Sequence, residues 1–122
     1  MIPGTGFSPE KVFIGFAREF FEHLASEKPA SALSGLDMTG HRWTKARLES
    51  EIRTVLGDDK VCSPKMLTRS ACPELTEVST GVYQLNHRVP GSKRWSQRSV
   101  AFRLTQKPGT GCFRVEFLGA VT

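Results

Sequence analysis

Val82-Tyr83-Gln84-Leu85-Asn86-His87-Arg88-Val89 is the stretch on which the reading of this chain turns. Tyr83, Leu85, His87 and Val89 fall on one side and Gln84, Asn86 and Arg88 on the other. A strand sends successive side chains to opposite faces, so this alternation marks a half-buried strand of an antiparallel sheet. The same period continues downstream. In the strand expected over 94–106, Val100, Phe102 and Leu104 point inward, and Ser99, Ala101, Arg103 and Thr105 point outward. In the strand expected over 112–121, Phe113, Val115 and Phe117 point inward, and Arg114 and Glu116 outward. Pro90-Gly91-Ser92-Lys93 and Lys107 to Gly111 carry the turn residues that join antiparallel neighbours.

Upstream the period changes to that of a helix. Val12, Phe13, Phe16, Phe20, Phe21 and Leu24 recur at i, i+3, i+4 spacing and make a broad apolar stripe. Ser8 is the expected cap of this helix, Pro9 suits its first turn and Glu10 suits its positive end. Pro29 is expected to end it near Glu27 or Lys28. Ala30 to Leu36 allows one or two helical turns closing at Gly35. Thr44 caps a further helix over 45–56, striped by Leu48, Ile52, Val55 and Leu56 and stopped by Gly57. Trp43, just before that cap, is placed to fold back toward Leu48. Between the halves, Val61 to Thr68 contains Pro64, which permits only an edge or broken strand, and Ala71 to Glu77 reads as loop. The expected architecture is α+β: N-terminal helices packed on a curved antiparallel sheet of three to four strands in a meander. One domain covers 1–122, with an extension over 1–8, a helical part over 9–57 and a sheet part over 58–122.

A chain of 122 residues with 39% hydrophobic and 24% charged residues is an ordinary globule. It can bury roughly two thirds of its unfolded surface and needs neither a metal nor a disulfide to hold it. The net charge of +5 points to an anionic partner. The basic residues are scattered, with no run longer than Lys93-Arg94, which argues against a nucleic acid as that partner. The start, Met1 to Gly6, has neither the basic nor the apolar region of a signal peptide, and no apolar run approaches the roughly 20 residues of a membrane span. Cys62, Cys72 and Cys112 are odd in number and irregularly spaced, as expected of free thiols in a reducing compartment. The expected location is the cytoplasm, with no membrane contact.

No motif announces chemistry. Pro-Gly-Thr-Gly occurs at Pro3 to Gly6 and at Pro108 to Gly111, but neither copy has the strand, helix and lysine of a phosphate loop. His23, His41 and His87 are isolated and the cysteines unclustered, so no metal site is expected. No cofactor is implied and no catalytic residue is assigned. His87 is the one titratable group expected on the inward sheet face. It reads as a structural histidine bonded to backbone or to Tyr83; the alternative makes Tyr83 and His87 the polar groups of a sheet-lined pocket. Arg88, Arg103 and Arg114 come from three successive strands and share the outward face, with Trp95 expected beside them. Arginine with tryptophan is the composition that interfaces favour. Trp43 and Arg47 offer a second candidate surface on the helix side.

The order of features resembles one family. It runs from the phenylalanine-rich helix through Ala30-Ser31-Ala32-Leu33-Ser34-Gly35-Leu36, then Trp43-Thr44 with Leu48, Ile52 and Gly57. A proline-bearing segment, Trp95-Ser96 and a closing Phe113-Arg114-Val115-Glu116-Phe117 follow. This resembles small bacterial domains with a nuclear transport factor 2-like cone, of the type that serves as immunity proteins to polymorphic toxins. Such domains usually carry acidic residues near the last strands, where this chain has Arg98 and Gly119-Ala120. The resemblance implies a cone-like fold and a protein that neutralises a cognate toxin by direct contact, and the chain's own basic surface implies that this toxin is acidic where the two meet. Two alternatives belong to other classes: a small enzyme or ligand binder using the cone's pocket, and a basic protein associated with nucleic acid.

Overall fold

A computed structural model describes residues 2–3, 9–38, 42–109 and 111–121. The expected cap at Ser8, all of the Pro3 to Gly6 copy after Pro3, His41, and Thr110 of the last hairpin lie outside the described residues. Among the described residues the helices are α1 (Pro9–Ala25), α2 (Pro29–Ser34) and α3 (Lys45–Leu56). A 3-10 turn follows at Pro64–Met66. The strands are β1 (Ile2–Pro3), β2 (Glu74–Ser79), β3 (Val82–Pro90), β4 (Trp95–Gln106) and β5 (Cys112–Ala120). β2 to β5 form an antiparallel meander, and β1 adds to the edge of β5, giving the order β1-β5-β4-β3-β2. The helices pack on one face of this curved, open sheet.

The helical stripe falls where its period puts it. Phe13, Ala17, Phe20 and Phe21 are at most 2% exposed, and Phe20 meets Phe102 and Phe117, each with ring centroids 5.3 Å away. The inward positions of the last three strands are likewise closed: Leu85, Val100, Phe102, Leu104, Val115 and Phe117 are at most 1% exposed. α1 ends earlier than Pro29 alone would require. Glu27 adopts the left-handed conformation at φ 57, and the Lys28 N–H returns to the His23 carbonyl at 2.8 Å. Pro29 then opens α2, where its missing N–H costs nothing. Thr44 caps α3 as expected, accepting the Arg47 N–H at 3.2 Å, and the Gly57 N–H closes the far end on Arg53.

The segment 71–77, expected as loop, holds most of β2. Only Leu75 of that strand packs inward, opposite Leu85, while Thr76, Glu77, Val78 and Ser79 are exposed. An edge strand wetted on nearly every side carries little alternation. Two departures from regular pairing shape the sheet. Near its C-terminal end β5 bulges, and Gly119 sits at φ 89 with Glu51 reaching from α3 to accept the Ala120 N–H at 2.7 Å. A Cβ at Gly119 would meet that carboxylate oxygen at 2.7 Å, so the bulge and its clamp require glycine. At the start of β4 the register shifts from Arg88 opposite Ser99 to Pro90 opposite Trp95, and the buried Ser96 hydroxyl accepts the Val89 N–H at 2.9 Å.

Candidate functional site

The second bulge decides where the candidate interface residues lie. Simple alternation puts Trp95 outward beside the arginines; the register shift turns it in. It is 7% exposed, its ring lies 5.5 Å from His87, and its indole N–H donates to the Arg69 carbonyl at 2.7 Å. The Arg18 guanidinium lies 5.8 Å from the ring centroid. Trp95 is thus a post that holds the 66–70 segment against the sheet, rather than an exposed anchor. Trp43 is also buried, at 8%. Its indole N–H donates to the Phe117 carbonyl at 2.7 Å and its ring packs on Phe117 at 4.8 Å, so it closes the α3–β5 seam instead of offering a surface. Arg47 is exposed and lies over the Trp43 ring at 4.8 Å.

The three outward arginines do share a face, but they do not form one patch. Arg88 stands opposite Ser99 and Arg114 opposite Thr105, six residues further along β4, which separates them by about 20 Å. Arg103 lies between Gln84 and the acidic Glu116 on the neighbouring strands. Arg114 pairs with Asp37 at 3.5 Å. Two of the three therefore have carboxylate neighbours within the fold.

Arg88 belongs to a different grouping. A cleft of about 560 Å³ lies between the 66–70 segment, the 91–94 hairpin and the first residues of β4. Arg69, Arg88, Lys93 and Arg94 line it, with Met66 on its rim and Trp95 among the residues beneath. No carboxylate lines it. Among the described residues, no hydrogen bond or ion pair engages the side chains of Arg69, Arg88 or Lys93. Arg94 has one acidic neighbour, Asp59, whose pKa is lowered chiefly by hydrogen bonds from Ser92, then by the Lys60 N–H and the Arg94 charge. Like charges held together without partners repel, and a concave wall of one sign concentrates the field in front of it. Such a concavity can attract an anion.

Hydrogen bonds hold the hairpin side of the cleft in shape. Asp59 Oδ2 accepts the Ser92 N–H at 3.0 Å, and the Gly91 N–H donates to Arg94 across the turn at 3.0 Å. Gly91 is required there, since a Cβ would come within 2.9 Å of the Arg94 carbonyl and strike the Asp59 carboxylate. The other wall is tied down at Arg69, whose carbonyl accepts the Trp95 indole N–H, and just before the wall begins the Ser63 hydroxyl receives the Lys65 N–H and donates to Glu22 at 2.6 Å, while Arg18 donates to the Pro64 carbonyl at 3.3 Å. The sequence reading missed Arg69, Met66 and Lys93 because they come from separate segments that only the fold brings together.

Tyr83 and His87 do not make a common pocket. They stand four residues apart on β3, about 13 Å, and the concave side between them is filled by Phe20, Leu85 and Phe102. The Tyr83 phenol donates to Glu77 opposite it on β2, which raises its pKa above 10.0. His87 is 1% exposed, between Phe21 and Trp95. A carbonyl can only accept, so Nδ1 carries the proton and donates to Arg88 at 2.7 Å. Nε2 is left without a partner among the described residues. Burial pushes the imidazole below its usual 6.5, the Arg88 carbonyl opposes this, and the Arg18 charge adds to it. Among the described residues no group of three or more His, Cys, Asp or Glu could hold a metal ion, and no helix is long and apolar enough to cross a membrane. No protein-family model, no curated protein and no solved structure matches this chain.

Proposed function

We propose that this chain is an immunity-type binding protein, which neutralises a cognate toxin by covering an acidic part of its surface and performs no reaction itself. The observation that carries this reading is the cleft at Arg69, Arg88, Lys93 and Arg94, a cationic concavity that no carboxylate lines, in which Arg94 alone has an acidic neighbour, Asp59. The aromatic filling of the concave sheet face supports it over the pocket-enzyme reading, because the space such an enzyme would use for substrate is occupied by Phe13, Phe20, Phe21, Phe102 and Phe117. An acidic protein suits the cleft better than a nucleic acid strand does. Single strands are held by exposed aromatic platforms as well as by charge, and the one aromatic residue here is buried with its N–H committed. Opposite charge would speed encounter, and the hydrogen bonds that hold the hairpin side would reduce the ordering cost of docking.

The test is capture of the partner on the tagged, folded chain from its native cells, followed by expression of the captured protein alone and together with this chain. Growth arrest by the partner alone, relieved by co-expression, is the expected result. A partner that never impairs growth would remove the immunity role.

A further inference from the structure

We infer that the cationic cleft takes an extended acidic segment carrying an apolar side chain among its carboxylates, the apolar group seating on Met66 while the carboxylates meet Arg69, Arg88 and Lys93. The inference rests on the reading of this chain as a binder of an acidic protein, and it specifies what that protein must present. The cleft is concave and of a size that admits a protruding segment rather than a flat patch. Met66 is 73% exposed, and the only other large hydrophobic residue so exposed among those described is Val78, at 56%, on the edge strand β2. An exposed thioether on a 3-10 turn next to half-buried Leu67 is an apolar contact awaiting a partner, and methionine adapts its shape to what it meets. Guanidinium groups without internal partners match carboxylates in planar, two-pronged fashion, which favours glutamate or aspartate side chains over diffuse negative charge. A purely acidic segment would leave Met66 in water, and a purely apolar one would leave three cations uncompensated.

The probes are two fluorescently labelled peptides, one with a leucine between glutamate pairs and one with glycine in its place, together with a labelled oligothymidylate of similar charge. Binding is read by anisotropy at low salt. The leucine peptide is expected to bind about tenfold more tightly than the glycine peptide, an advantage that Met66→Ala abolishes. Arg88→Glu and, independently, Lys93→Glu are expected to weaken both peptides about tenfold, with the circular dichroism spectrum of each variant unchanged. Equal binding of the two peptides, still lost in Arg88→Glu, would overturn the Met66 anchor while leaving an acidic protein as the partner. Binding of the oligothymidylate alone would overturn both readings. Binding of none of the three would overturn the segment inference, and the captured partner would then decide the function by itself.

Discussion

Phe102→Ala probes the core on which everything else is mounted. Phe102 is fully buried, and its ring meets Phe16 at 6.1 Å, Phe20 and Phe117 at 5.3 Å and Phe21 at 6.3 Å. A buried phenylalanine removes about 150–250 Å² from water, which at about 25 cal/mol per Å² is roughly 4–6 kcal/mol as an upper estimate. Truncation of such residues costs about 3–5 kcal/mol, and more where the neighbours cannot collapse into the gap. Here the site is walled by rings from α1 on one side and β5 on the other, both anchored elsewhere, so the upper part of that range is expected. In a domain of this size that corresponds to a fall in Tm of about 10–20 °C. The assay is urea unfolding followed by tryptophan fluorescence, with Arg103→Ala as its control. Arg103 is the next residue along β4 and points to the opposite face, so its truncation should change stability by no more than about 0.5 kcal/mol. A loss below about 1 kcal/mol in Phe102→Ala, or an equal loss in Arg103→Ala, would refute the assignment of sheet faces.

Three further outcomes are expected. Because the folded pKa of His87 lies below 6.5, the unfolded chain takes up its proton first as pH falls. The stability His87 contributes is therefore complete above about pH 6.5 and declines as pH drops toward the folded pKa; thermal melts from pH 7.5 to about 5.5 should show a steeper loss in the wild type than in His87→Gln. Thr44→Ala removes the cap of α3 and should cost about 1 kcal/mol in the same unfolding assay, with a cost near zero refuting the cap. Gly91→Ala should displace the 91–94 hairpin, weakening partner binding and increasing amide exchange at Ser92 while leaving exchange in the α1 core unchanged.

The chain's periodicities made the architecture legible. The shift from helical stripe to alternation placed α1, α3 and β3 to β5, and Leu85, Val100, Phe102, Leu104, Val115 and Phe117 are inward as alternation selects. β2 escaped because an edge strand with one inward contact obeys no strong pattern. Trp95 was misplaced because alternation presumes regular pairing, and the register shift at the start of β4 depends on the Ser96 hydroxyl satisfying the Val89 N–H, a tertiary detail. Trp43 drew notice as an aromatic at a helix entrance, but its carbonyl partner lies 74 residues away. The cleft was the least visible feature. Arg88 is legible on β3, yet its neighbours Met66, Arg69 and Lys93 sit in segments that carry no periodic signal, and tertiary hydrogen bonds such as Trp95–Arg69, Asp59–Ser92 and Cys62–Pro90 hold those segments in place. Net charge indicated an anionic partner without saying where the charge would gather.

The central claim is that this cleft is where the partner binds. It is tested most directly by the Kd of the captured partner for the wild type, for Arg88→Glu with Lys93→Glu, and for Arg103→Glu, measured together at one salt concentration. The cleft variant is expected to lose at least about tenfold in affinity, roughly 1.4 kcal/mol, while Arg103→Glu, whose residue already neighbours Glu116, changes it far less. Undiminished affinity in the cleft variant, or a larger loss in Arg103→Glu, would contradict the claim.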